Sequence, residues 1–579
     1  MKKKEVPKPE PHVSRFVGDM NPEGLFIEVT SPHSSRDRSI QGGVGVWQSQ
    51  ASGKPYPSSS ATKQTSTLRQ TIQDLCRSHV QTACLPCRPA TSEYTALHRI
   101  YRDKLDPLFP AVRCYLAQPP DDEITQIVLQ QVVSLAAASD PEAVPYLRLQ
   151  SQDELLSRSE FSARLSCAIR VTLDAGFVTD RYALTRILLV FSLYMQPTCP
   201  EEADLPAKAF ADATHQMHTL GLHMAADENK EDSQRIRTLF CCMWALDRIN
   251  SSLYGRALLI HERDIGWDLD AGIAAQDPPF RLFLMIVGLL DRVMDLYRPR
   301  NKALQETVVV ELPILEQMII DAGAAKESSA FLGESVHHTS STTALRPPHN
   351  GQRYLHRLAS LEILYHSVAI LSCRPAAGIS ASTLPAPAIN SRRSLSADRI
   401  TSIVSREFHD QLSYLPIIAY GVSLSLSVAY QKMRFSNVPM FRSRGKQAFQ
   451  KNTQLLRSLG DTFWTAKVMA AMAEQVLQEM NKAVASLSSQ EPPPGDTARR
   501  VDPPSGADKP LETPVSAEPP DPAQEGTSID PFYVGAVPDV DVFGHLDPTF
   551  DLEAVDAALE GNLGFGASSN WFDWQALWE

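Results

Sequence analysis

The chain has 579 residues, 43% of them hydrophobic, which is enough to bury a large core and too long for one ordinary domain. Its net charge of −12 excludes binding a phosphate backbone through bulk charge; only a local basic surface would serve. Nine scattered cysteines, an odd number, argue for a reducing compartment and against a disulfide framework, and the N-terminal MKKKEVPKPEPH lacks the apolar run of a secretory signal.

Residues 1–67, rich in Pro, Ser, Gly and Lys, are expected to be mostly disordered, with two apolar islands, Arg15–Val29 and Gly42–Trp47, that would form short strands or extended pieces docked on a body. Apolar spacing of three and four then predicts helices over 68–80, 92–106, 124–138, 153–175, 181–195, 205–221, 231–254, 278–298, 303–322, 350–373, 397–431 (broken at Pro416) and 446–487. In 205–221, for example, Phe210, Ala213, Met217 and Leu220 share one face and Gly221 marks the stop. Alternating strand patterns are almost absent, so 68–487 is an all-α, multi-helix body. Two Ser/Thr/Pro/Ala-rich insertions, 326–349 and 375–396, are expected to be exposed or disordered. The charge-free stretch Leu412–Tyr430 contains Pro416, Gly421 and four serines, and reads as a buried core helix, not a membrane span.

The chain's 42 prolines exceed the average share of about 5%. Many fall in 488–529, a polar linker that cannot pack. The tail, 530–579, contains no Lys or Arg and interleaves acidic residues with aromatic rings. Within it Leu552, Val555 and Leu559 form one helically spaced set, preceded by Phe550, and Trp571, Trp574 and Trp578 a second, with Phe572 beside it. Acidic side chains hydrate and repel one another, keeping such rings available to apolar grooves on coactivators. This is the expected activation segment; the competing expectation is a C-terminal segment docked on its own body.

The stretch His218–Leu269 reads as an Ala-rich helix ending in Leu220-Gly221-Leu222-His223, a polar gap, and a helix carrying Arg235, Arg237, Asp247 and Arg248. A turn at Gly255-Arg256 and an acidic element at Asp264 follow. Around it stand Ala96–Val112, Thr185–Met195, Leu364–Pro375 and Leu455–Met469. In order and spacing these resemble the regulatory domain shared by fungal zinc binuclear cluster transcription factors. Cys241-Cys242 replaces that family's aromatic pair, and Ala257 its usual proline. The resemblance implies a nuclear regulator of RNA polymerase II transcription. It also implies DNA contact through an N-terminal six-cysteine zinc cluster, a possible homodimer and a possible small-molecule effector. Cys76, Cys84 and Cys87 cannot complete such a cluster, whose two zinc ions need six thiolates, so neither zinc nor DNA ligands are expected in this chain. MKKK begins where that family's basic linker would lie; a truncated N-terminus and a lost DNA-binding module are both open.

Bland readings compete at each remaining position. His215, His218 and His223 lack the partners of a metal motif and read as surface or cap histidines. Lys2–Lys4 with Lys8 fit a nuclear localisation signal or a solvated terminus equally, and Arg392-Arg393 read as linker charge. Arg235, Arg237, Asp247, Arg248 and Arg256 are expected to form structural ion pairs, with a ligand site as the minority reading. No phosphate-binding loop, nucleophile elbow, zincin or dinucleotide fingerprint is present, so no enzyme is expected. Activator, DNA-free coregulator, and helical small-molecule binder or enzyme are the three functions carried forward, in that order.

Overall fold

Capping residues set many of the helix boundaries. The computed structural model describes residues 14–17, 46–49, 68–150, 154–224, 230–295, 311–325, 350–373, 387–408, 411–489 and 542–561. Most of 1–67, the insertion 326–349, the linker from 490 to 529 and the tail beyond 561 lie outside them. By its contacts the chain divides into two units, residues 1–473 with 552–579, and residues 474–551.

The helices in chain order are α1 Leu68–His79, α2 Thr91–Ile100, α3 Arg113–Ala117, α4 Glu123–Ala137, α5 Arg158–Asp174, α6 Arg181–Tyr194, α7 Leu205–Leu220, α8 Lys230–Tyr254 and α9 Leu269–Ala274. Then come α10 Pro278–Met294, α11 Leu315–Asp321, α12 Asn350–Leu371, α13 Pro387–Ser402, α14 Ile417–Phe435, α15 Pro439–Leu459, α16 Trp464–Ser489 and α17 Leu552–Gly561. Side-chain oxygens of Asp122, Ser157, Asp180 and Asp268 accept first-turn N–H groups of α4, α5, α6 and α9. Proline stands in the first turn of α7, α10 and α15, where no intrahelical N–H is lost. The body is all-α, as the periodicity predicts. The two N-terminal islands contribute one antiparallel ladder, β1 Ser14–Val17 with β2 Val46–Ser49, in which Phe16 faces Trp47 in register; β1 runs beside α7.

Several boundaries differ from the sequence expectation. The insertion 375–396 is cut short because α13 already begins at Pro387; Ser396, Ala397, Ile400 and Ile403 are buried, and Arg399 reaches Glu362 of α12 at 2.6 Å. Arg392 and Arg393 therefore sit on a helix and not in a linker. The predicted helix 446–487 is two: Gly460 to Phe463 turn the chain, and Phe463 packs at 1% exposure. Of 303–322 the described part begins at 311; residues 311–314 are not helical and α11 starts only at Leu315. Helices α1, α2 and α13 each end in a wider π-type turn, 80–84, 101–105 and 403–407.

Helix α14 lies deep in the body. Its serines would be orphaned there, but Ser423, Ser425 and Ser427 donate to the carbonyls of Ala419, Gly421 and Ser423 at 2.9, 3.0 and 3.2 Å. Among the described residues no helix is long and apolar enough to cross a membrane. Helix α15 folds back on α14, and the backbones touch at Gly445: a Cβ there would stand 2.7 Å from the Met433 amide nitrogen and 3.1 Å from the Ala429 carbonyl. Backbone cannot rotate aside, so Gly445→Ala must prise the two helices apart. Overpacking of this kind costs about 1–3 kcal/mol. The urea midpoint should fall accordingly; an unchanged midpoint would mean the helices do not cross this closely.

Candidate functional site

The Leu220–His223 segment is a helix stop. Gly221 takes φ +66°, the left-handed conformation that glycine adopts at least cost. Its N–H donates to the His218 carbonyl, and that of Leu222 to the Met217 carbonyl, both at 3.1 Å. Leu220 and Leu222 drop into the core at 4% and 2% exposure. The His223 carbonyl accepts the Gly266 N–H at 2.8 Å, tying the following loop to the helix end. Its ring meets that of His218 edge-to-face at 5.0 Å. Burial, helped by His218, depresses its pKa to about 4.

Helix α8 carries the charges. Its Arg248 side chain is 2% exposed, in the middle of the body. The guanidinium donates to Asp247 at 3.2 Å, to the Ile260 carbonyl at 2.9 Å and to Asp291 of α10 at 3.1 Å, and lies over the Trp244 ring at 4.8 Å. Asp247 in turn accepts the N–H groups of Leu259 and Ile260, each at 3.0 Å. Burial pushes the Asp247 carboxyl upward against the pull of those amides and of Arg248. The pair thus clamps the loop after Gly255 onto helices α8 and α10. Gly255 itself has φ +62° with open space where a Cβ would stand, so only its backbone conformation asks for glycine. Arg256 pairs with Asp204 and covers Tyr254.

The motif cations do not converge on one site. Arg235, one turn after another up α8, stands about 18 Å from Asp247 along the axis; its carbonyl accepts from Arg186 at 3.4 Å. Arg237 lies over Trp267 at 5.7 Å. Arg237 thus braces the Trp267 loop, whereas the Arg235 side chain is exposed and only its backbone carbonyl is engaged. Sequence reasoning missed a further buried pair, Lys104 with Asp140 at 2.9 Å, both at 5% side-chain exposure or less. Its one local signal is Asp140-Pro141, where Asp140 caps a short 3-10 turn.

A cleft of about 260 Å³ opens between α2, α3 and α4, lined by Tyr94, His98, Tyr115, Pro119 and Gln126 among others. Tyr115 already donates to Asp180 at 3.0 Å, and Gln126 to the Pro120 carbonyl at 2.5 Å. No Asp, Glu, Lys or Arg lines it, so an effector there would find rings and no fixed charge. Among the described residues no group of three or more His, Cys, Asp or Glu is placed to hold a metal ion. All nine cysteines are free thiols. Cys84 packs with Val80 and Ala168, with Cys76 and Cys87 against them, as small apolar side chains. Burial raises the Cys84 thiol and pushes Cys87 up to about 11, which suppresses thiolate at neutral pH.

The tail departs most from expectation. Helix α17 docks against α14: Leu559 is fully buried and Val555 4% exposed, with Leu552 half-buried; Phe550, also half-buried, precedes the helix and belongs to the other unit. Asp556, between them in sequence, accepts from the Tyr430 hydroxyl at 2.5 Å and stands 3.6 Å from Arg434. Val555 and Leu559 are therefore not held in water for a partner. Their four-residue spacing supplies one apolar edge, and α14 offers a surface on which each buried side chain gains about 1.5–3 kcal/mol. Trp571, Phe572, Trp574 and Trp578 lie outside the described residues. A scan of the chain against models of known families finds no match, and a search among curated proteins finds none.

Two outcomes follow. Arg248→Ala would leave Asp247 and Asp291 facing a cavity; breaking a buried pair in this way costs about 3–5 kcal/mol. Urea denaturation should show most of that loss, and a change under 1 kcal/mol would remove Arg248 from the centre of the clamp. For His223 the folded pKa is depressed below the unfolded value, so its contribution is present above about pH 6.5 and lost as pH falls toward about 4. Over that window the wild-type midpoint should fall more steeply than that of His223→Gln; parallel curves would contradict this.

Proposed function

We propose that the chain is a nuclear regulator of RNA polymerase II transcription, in which an all-α body anchors an acidic, aromatic C-terminal segment that recruits coactivators. The observation that carries this reading is the tail itself. Residues 530–579 contain no Lys or Arg, and their three last tryptophans, Trp571, Trp574 and Trp578, follow the anchoring helix in sequence. At spacings of three and four they would fall on one face of an induced helix, the form in which acidic-aromatic segments enter apolar grooves. The buried side of α17 narrows the recruiting surface to these residues unless α17 is released.

The likeness of Leu220–His223, Asp247-Arg248 and Gly255-Arg256 to the fungal zinc-cluster regulatory domain supports the same reading. DNA would then be reached through a six-cysteine module outside this sequence, or through a partner. The net charge of −12 favours, as a second reading, a coregulator that touches only proteins.

Fusing 530–579 to a heterologous DNA-binding domain should activate a reporter, and changing Trp571, Trp574 and Trp578 together to Ala should lower the signal at least about tenfold at equal protein level. A silent fusion would remove the recruitment reading. If the fusion responds, cross-linking of the intact chain to chromatin separates an activator, which is retained with its own DNA module, from a coregulator, which is lost when its partner is depleted.

A further inference from the structure

The turn joining α14 to α15 exposes large apolar side chains with no charge between them. Phe435 is 52% exposed, Val438 45%, Met440 50% and Phe441 47%. The first turns of α15 follow with Arg442, Arg444 and Lys446, and the last turn of α14 precedes it with Lys432 and Arg434. Arg442 braces the turn by donating to the Ser436 carbonyl at 3.3 Å. Apolar patches rimmed by one sign of charge mark interaction sites.

We propose that this basic, aromatic hairpin, 435–446, is the docking surface for the chain's own last residues, 562–579. Continuity and charge identify the occupant. Asp556 of α17 is held at Tyr430 and Arg434, one residue before Phe435, and α17 ends five residues later at Gly561, about 7.5 Å further along its axis. Residues 562–570, if extended, span up to about 30 Å, more than enough to carry Trp571 across a hairpin. The segment offers Phe565, Trp571, Phe572, Trp574, Leu577 and Trp578, with Asp573 and Glu579 as its charged side chains and neither Lys nor Arg. Its rings would cover Phe435, Met440 and Phe441, and stack under guanidinium groups, while its carboxylates meet Arg442, Arg444 and Lys446. The same tether raises the local concentration of the segment to the millimolar range, so modest contacts suffice. For the recruitment reading, on which this inference rests for its biological meaning, the docked state would withhold the tryptophans from a coactivator.

The test uses the full chain with p-benzoylphenylalanine in place of Trp574, irradiated at low protein concentration and mapped by mass spectrometry. Cross-links within the monomer to residues 435–446 are expected. They should drop at least about fivefold in Arg442→Glu/Arg444→Glu/Lys446→Glu, and also in the unaltered hairpin when salt is raised to about 1 M, where the Debye length is about 3 Å. Cross-links confined to a dimer-sized band would assign the surface to a second copy and overturn the proposal. So would cross-links elsewhere on the body, or a yield indifferent to both charge reversal and salt. Because the cross-link is read without any reporter, its presence beside a silent fusion would reject recruitment and keep the docking.

Discussion

A guanidinium taken out of water constrains the centre of this protein. Arg248 cannot lose its charge, and a cation left bare at 2% side-chain exposure would cost several kcal/mol. Asp247, Asp291, a loop carbonyl and the Trp244 face must therefore all be in place around it. These groups come from α8, from α10 and from the loop after Gly255. Satisfying one side chain thus fixes the distance between two helices and the path of the segment joining them. The left-handed turns at Gly221 and Gly255 serve the same end, since each redirects the chain abruptly where an ordinary residue would resist.

The same chemistry recurs at the surface with a different purpose. Asp556 meets Tyr430 and Arg434 where α17 lies on α14, yet there the carboxylate is part-exposed and, among the described residues of α17, Val555 and Leu559 are the buried apolar side chains. The contact that seats α17 and the clamp around Arg248 share no residue and stand on different helices.

Much of the helical body was legible in the sequence because apolar spacing, first-turn prolines and Asp or Ser caps agree with one another from Leu68 to Leu459. Failures have local causes. The start of α13 was hidden by Ser391, Arg392, Arg393 and Ser394, polar residues that become helical because Ala397, Ile400 and Ile403 behind them find a core. The break before Trp464 was hidden because Gly460 and Phe463 look like helix interior until the buried Phe463 ring pulls the chain round. Asp247 and Arg248 were read as structural ion pairs without their burial, since nothing in their neighbours reveals that the loop twelve residues on will close over them. The docking of α17 was the less favoured of two readings: a run of acidic residues argues for water, and only the partner surface on α14 decides that Val555 and Leu559 face inward.

The amides of Leu259 and Ile260 end on a buried carboxylate instead of on solvent or on a helix carbonyl. Loop amides ordinarily exchange their hydrogens quickly, through small openings that cost little. These two can exchange only when Asp247 lets go, and Asp247 is bound to the same guanidinium that joins α8 to α10. Two loop hydrogens should consequently be replaced by deuterium on the slow clock of the helices, so that an irregular stretch of chain reports the opening of the core.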